Sequence, residues 1–121
     1  MTSDDTGGSG VSDRIMVATT STIPGQRVVG YKGLVWGLTV RAKNIGQDFL
    51  AGCKNITGGE VSGYTELLQE ARQQAVDRLS EKAAAIGANA VVEVRFGTST
   101  VAQGMAEIVA YGTAVVVEPA A

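Results

Sequence analysis

Between Val61 and Gly87 apolar residues return at steps of three and four: Tyr64, Leu68, Ala71, Ala75, Leu79, Ala83 and Ile86. That spacing predicts one long amphipathic helix, with Gln69, Gln73, Gln74, Asp77, Arg78, Glu81 and Lys82 on the other sides. Ser62 or Thr65 can cap its start by accepting from the first-turn N–H groups. Gly87 can take the left-handed conformation that closes the last turn. A second helical stripe, Ile45, Phe49, Cys53 and Ile56, predicts a short helix over Asn44–Ile56, capped by Asn44 and ended at Thr57-Gly58-Gly59.

Elsewhere the period is that of strands. Arg14–Thr19 and Gln26–Tyr31 are short candidates, separated by the Ile-Pro-Gly turn within Ser21–Gly25. Lys32-Gly33 reads as a break before a longer strand over Leu34–Ala42. There Leu34, Trp36, Leu38, Val40 and Ala42 alternate with Val35, Gly37, Thr39 and Arg41, which predicts the first set inward and Trp36 packed beneath the long helix, with stacking on a ligand as the alternative for that ring. In Asn89–Phe96 the same reasoning turns Ala90, Val92, Val94 and Phe96 inward and Glu93 and Arg95 outward. Gly97–Gly104 reads as a polar loop, and Ala106–Val117 as the final strand. Glu93, Arg95 and Glu107 then suit a cross-strand ion pair. From Ala114 to Val117 the last strand is apolar on both faces, so a second cover is needed beyond one layer of helices. A neighbouring copy is the simplest cover, which makes Val115 and Val117 interface candidates. The elements add up to an α+β domain over residues 14–121: an antiparallel sheet against one short and one long helix.

The chain has 121 residues, a single-domain length, and its 45% hydrophobic content makes the body globular. Only 5% is aromatic, so Ala, Val and Gly fill the core, and small side chains favour extra burial by oligomerisation. Residues 1–13 are acidic and rich in Gly and Ser, a flexible tail lacking the basic and apolar regions of a signal peptide. The net charge of −2, with basic residues scattered singly, argues against nucleic acid as a partner. No apolar stretch reaches the roughly 18 residues of a membrane span. One cysteine cannot staple the fold internally, which suits a reducing cytoplasm.

Candidate chemistry is sparse. A soft metal takes Cys, His or Met ligands, and this chain has no histidine and one cysteine. Cys53 is therefore either a packed apolar residue beside Phe49 and Ile56 or, in a cyclic assembly, one member of a ring of thiols. Asp48 and Glu60, with Glu66 nearby, could serve a hard cation, or sit solvated at helix starts. Gly58-Gly59 before a helix lacks the lysine of a phosphate loop. Tyr64 and Arg72, two turns apart, are the remaining interface candidates, Arg72 as an inter-subunit ion pair or as a plain exposed arginine. With no nucleophile–base pair and no cofactor fingerprint, the chain is read as a non-enzyme.

Five segments stand in order along the chain: Tyr31-x-Gly33-x-Val35-x-Gly37, Asp48-Phe49 through Gly58-Gly59, Gly63-Tyr64 through Ala71-Arg72, Gly87-Ala88-Asn89-Ala90-Val91-Val92, and Gly112-Thr113-Ala114-Val115. Over Met16 to Val117 they make the chain resemble the YbjQ-like family of bacterial proteins labelled heavy-metal-binding. The resemblance implies a dodecin-like subunit assembled into a homopentameric ring. It departs from the family at Leu38, where Glu is common, and at Glu60, where Arg is common. The expected function is a ring protein that binds a small ligand or metal ion at subunit interfaces or on the axis; the alternative is a scaffold whose ring is itself the product.

Overall fold

The computed structural model describes residues 15–41, 64–102 and 105–121. The expected tail, short helix and Gly-Gly corner lie outside these residues. Among them the chain runs β1 (Met16–Val17), β2 (Gln26–Arg41), α1 (Tyr64–Ala85), β3 (Ala90–Ala102) and β4 (Met105–Pro119). The strands form one four-stranded sheet in the order β1-β3-β4-β2. The domain is α+β, as expected, but the sheet is mixed: β2 and β3 flank β4 antiparallel, while β1 lies parallel to β3.

The long helix forms where its spacing placed it. Ala71, Ala75, Leu79 and Ala83 are fully buried and pack with Val35, Val91, Val94, Ile108, Ala110 and Ala114 on one face of the sheet. Gly87, at φ +89°, reverses the chain after α1. Its N–H donates to the Ala84 carbonyl at 3.0 Å and that of Ala88 to Ala83 at 3.0 Å, satisfying carbonyls the helix leaves open. Ile86, expected on the buried stripe, lies past the helix end and is exposed.

β2 departs most from expectation. The break foreseen at Lys32-Gly33 is a pair of irregularities, between Val28 and Gly30 and between Tyr31 and Gly33, inside one continuous strand. Its parity is also the reverse: Val35, Gly37 and Thr39 are buried, and Leu34, Trp36, Leu38 and Val40 are exposed. Gly37 is the reason. A methyl group there would collide with the Ala75 carbonyl oxygen and the Leu79 nitrogen and stand 3.0 Å from the Arg78 carbonyl carbon. Helix backbone thus rests on strand backbone, and only the small-residue face of β2 can accept it.

β3 also changes phase. Glu93 adopts φ 55° where the pairing with β4 shifts, so Val92 faces one side of the sheet and Val94 the other. Phe96, expected inward, is exposed. The supposed loop is mostly hairpin: Thr98, Ser99 and Thr100 pair with Ile108, Glu107 and Ala106, as β-compatible threonines allow. β4 is buried on both faces, but the second cover comes from the same chain. Val115 and Val117 join Ala90 and Val92 beneath Ile23 and Val28. The segment after β1 is tied down by Glu93 N–H to Thr20 O and Val94 N–H to Ala18 O, both 3.0 Å.

Gly37→Ala is expected to lose about 3 kcal/mol of stability, since neither backbone can yield to the added methyl. Gly30→Ala, whose methyl would meet Val116 Cβ at 3.8 Å, is expected to stay within about 0.5 kcal/mol of the parent. Urea unfolding of both variants checks the pair. The buried Thr39 hydroxyl has no hydrogen-bond partner among the described residues, so Thr39→Val should be neutral or stabilising by up to about 1 kcal/mol in the same measurement.

Candidate functional site

The reversed parity of β2 creates the site. Strand alternation sends Leu34, Trp36, Leu38 and Val40 to the face away from Gly37, and the register sets Tyr111 of β4 directly beside Trp36. Exposure is 66% for Leu34, 47% for Trp36 and 41% for Tyr111, so large apolar groups stand open together. Ile23 and Val28 seal the other half of this face over Val115 and Val117. Among the described residues the outer face is therefore half covered.

β2 is an edge strand, and α1 reaches it from above. Arg78 donates through Nη1 to the Leu38 carbonyl at 2.6 Å. One turn on, the Lys82 ammonium lies 4.9 Å from the centroid of the Trp36 ring, a cation–π contact. Leu34, Val35, Trp36, Lys82, Ala85 and Ile86 line an open groove of about 290 Å³ between the end of α1 and the edge strand. Sequence reasoning missed Lys82 and Arg78 as companions of Trp36. A glycine in the middle of an apolar strand was the signal available, because it marks the face to which another backbone comes close.

The other expected residues fall out as follows. Cys53, Asp48 and Glu60 lie outside the described residues. Tyr64 opens α1, though its side chain is likewise outside them, and Arg72 is exposed on the helix. Val115 and Val117 are buried within the chain, which leaves them little surface to offer a neighbour. The cross-strand ion pair does not form: Arg95 Nη1 donates instead to the Thr19 and Val94 carbonyls at 2.8 and 2.9 Å, and Glu107 accepts from Ser99 Oγ at 3.2 Å. Trp36, expected beneath the helix, stands at the rim of the groove.

Among the described residues no three His, Cys, Asp or Glu side chains gather in a way that could hold a metal ion. Those residues contain neither a thiol nor an imidazole, so their donor set does not fit a soft metal.

A family model described as "Putative heavy-metal-binding" (YbjQ) matches residues 15–118. The chain belongs to this YbjQ family. Among its relatives is a UPF0145 protein of Hahella chejuensis, 55% identical over 104 residues that make up 86% of this chain and all of that one. A UPF0145 protein of Pyrococcus furiosus is 53% identical over 108 residues, 89% of this chain and 95% of the other. One of Picrophilus torridus is 50% identical over 107 residues, 88% and 91% of the two chains. The last two organisms are archaea, so the YbjQ family is wider than the bacterial one expected. A crystal structure of a protein with unknown function from Pediococcus pentosaceus, assigned to the DUF74 family, shares the fold. Its TM-score is 0.51 at 16% identity, over 86% of this chain and 98% of that one. The YbjQ description names metal binding and no reaction. No helix among the described residues is long and apolar enough to cross a membrane.

Since Cys53 is the one thiol in the chain, soft-metal retention should depend on it. Cadmium held by untagged protein after dialysis is expected to fall to background in Cys53→Ser, as read by elemental analysis. Retention unchanged in the variant would place the ligands elsewhere.

Proposed function

We propose that this member of the YbjQ family is a non-enzymatic homo-oligomer that holds a small ligand or a metal ion where its copies meet. The observation that supports this reading is the open half of the outer face, where Leu34, Trp36, Leu38, Val40 and Tyr111 stand exposed side by side. Such a cluster on an edge strand is an aggregation hazard unless something covers it. A second copy is always present at the right concentration, and closed assembly of identical chains is the commonest way to cover such a face. The family resemblance adds the form of the assembly, a dodecin-like subunit in a ring of five.

Contact between copies then centres on Leu38, Val40 and Tyr111 of the outer face rather than on Val115 and Val117, with Tyr64 and Arg72 of α1 as further contacts and Leu34 and Trp36 left at its margin. A ring also makes sense of a metal label on a chain with one thiol. Symmetry repeats Cys53 once per copy, and several thiolates near an axis make a soft-metal site that one chain cannot. Asp48 and Glu60 would be repeated in the same way.

Light scattering is expected to give about five times the 12.4 kDa mass of the chain. Val40→Glu should dissociate the assembly, weakening it by at least about 2 kcal/mol per contact, because a carboxylate would be buried beside Glu107 without a partner. The same variant should keep its circular dichroism spectrum, since Val40 is exposed in the single chain. A folded parent that stays monomeric at micromolar concentration would overturn the reading.

A further inference from the structure

The groove between the end of α1 and β2 carries more positive charge than the fold needs. Lys82 closes one wall, its ammonium over the Trp36 ring. Lys32 reaches the same end of the helix: its Nζ and Cε each lie 3.7 Å from where a side chain on Gly87 would begin. Neither lysine has a carboxylate partner among the described residues. A role in neutralising the helix end is too small to use both. The negative end of a helix is worth about half an elementary charge. Two of its last carbonyls are moreover already engaged, with Ala83 O accepting from Ile86 and Ala88 and Ala84 O from Gly87. Two full charges against half of one, Lys82 in the wall of the groove and Lys32 beside Gly87, leave this region positive. The walls are otherwise apolar: Leu34, Trp36, Ala85 and Ile86.

We propose that this groove binds a small apolar monocarboxylate, with its hydrocarbon or aryl body along the Trp36 indole and its carboxylate between Lys82 and Lys32. A bare inorganic anion would meet the lysines but leave the apolar walls wet, and a neutral hydrocarbon would fill the walls and leave the charge unmatched. At about 290 Å³ the groove sits near the lower end of small-molecule sites, which suits a single-ring or short-chain acid. The inference deepens the ligand-binding half of the proposed function and rests on it for biological sense. It does not need the ring, because every lining residue comes from one chain.

Trp36 is the only tryptophan, so its emission reports directly on the groove. Full-length protein, excited at the red edge of indole absorption, is titrated with 4-phenylbutyrate and, separately, with its neutral amide. The acid is expected to give a saturable change, as its carboxylate draws the Lys82 ammonium from the ring, with affinity about tenfold above that of the amide. Lys82→Met should bring the acid down to the level of the amide; Lys82 is exposed, so the fold survives the change. The proposal is overturned by equal response to acid and amide, by an undiminished response in Lys82→Met, or by no saturation up to roughly 10 mM. Light scattering on the same samples reports assembly separately. A ring that ignores the acid would sink this inference alone, and a monomer that binds it would sink the ring alone.

Discussion

The fold depends on one close approach, that of α1 to β2 at Gly37. Helices ordinarily ride on side chains, whereas here the turn between Ala75 and Leu79 lies against strand backbone. Alanines at 71, 75 and 83 keep the helix face shallow enough for this, and Val35 and Thr39 flank the contact at the same level. Once the helix is seated there, the larger residues of β2 have no place beneath it. They must occupy the opposite face, so the geometry that completes the core also produces the open apolar surface.

Much of this was legible in the sequence. The helix announced itself because its apolar positions keep the helical period for several turns and a left-handed glycine follows. The central strand pair was equally plain, and burial of β4 on both faces could be read from Ala114–Val117. The source of the second cover could not. Ile23 and Val28 lie far from β4 in sequence, beside a turn, and nothing local says that they fold over Val115 and Val117.

The parity of β2 was misread for a related reason. Alternation divides a strand into two faces but does not say which is covered, and choosing the bulkier set fails when the partner helix demands the smaller one. Glu93 defeated the same rule in β3, since a single residue in the left-handed region moves every later side chain to the other face. The polar composition of Thr98–Thr100 concealed a hairpin because solvent-facing threonine is as good a strand residue as a buried valine. The candidate metal ligands Cys53, Asp48 and Glu60 belong to a stretch whose place in the fold the described residues do not include. The groove escaped notice because it needs Trp36 on the face the alternation argument had denied it.

The Arg78 guanidinium on the Leu38 carbonyl bears on how the molecule can grow. Lengthening the sheet sideways by adding a foreign strand to β2 would have to displace a charge-assisted bond from the middle of the rim. Among the described residues the broad side carries no such guard. Cover for the exposed side chains of β2 can arrive face-on without breaking that bond, and the ribbon-like polymer that an unguarded rim invites is disfavoured from the start.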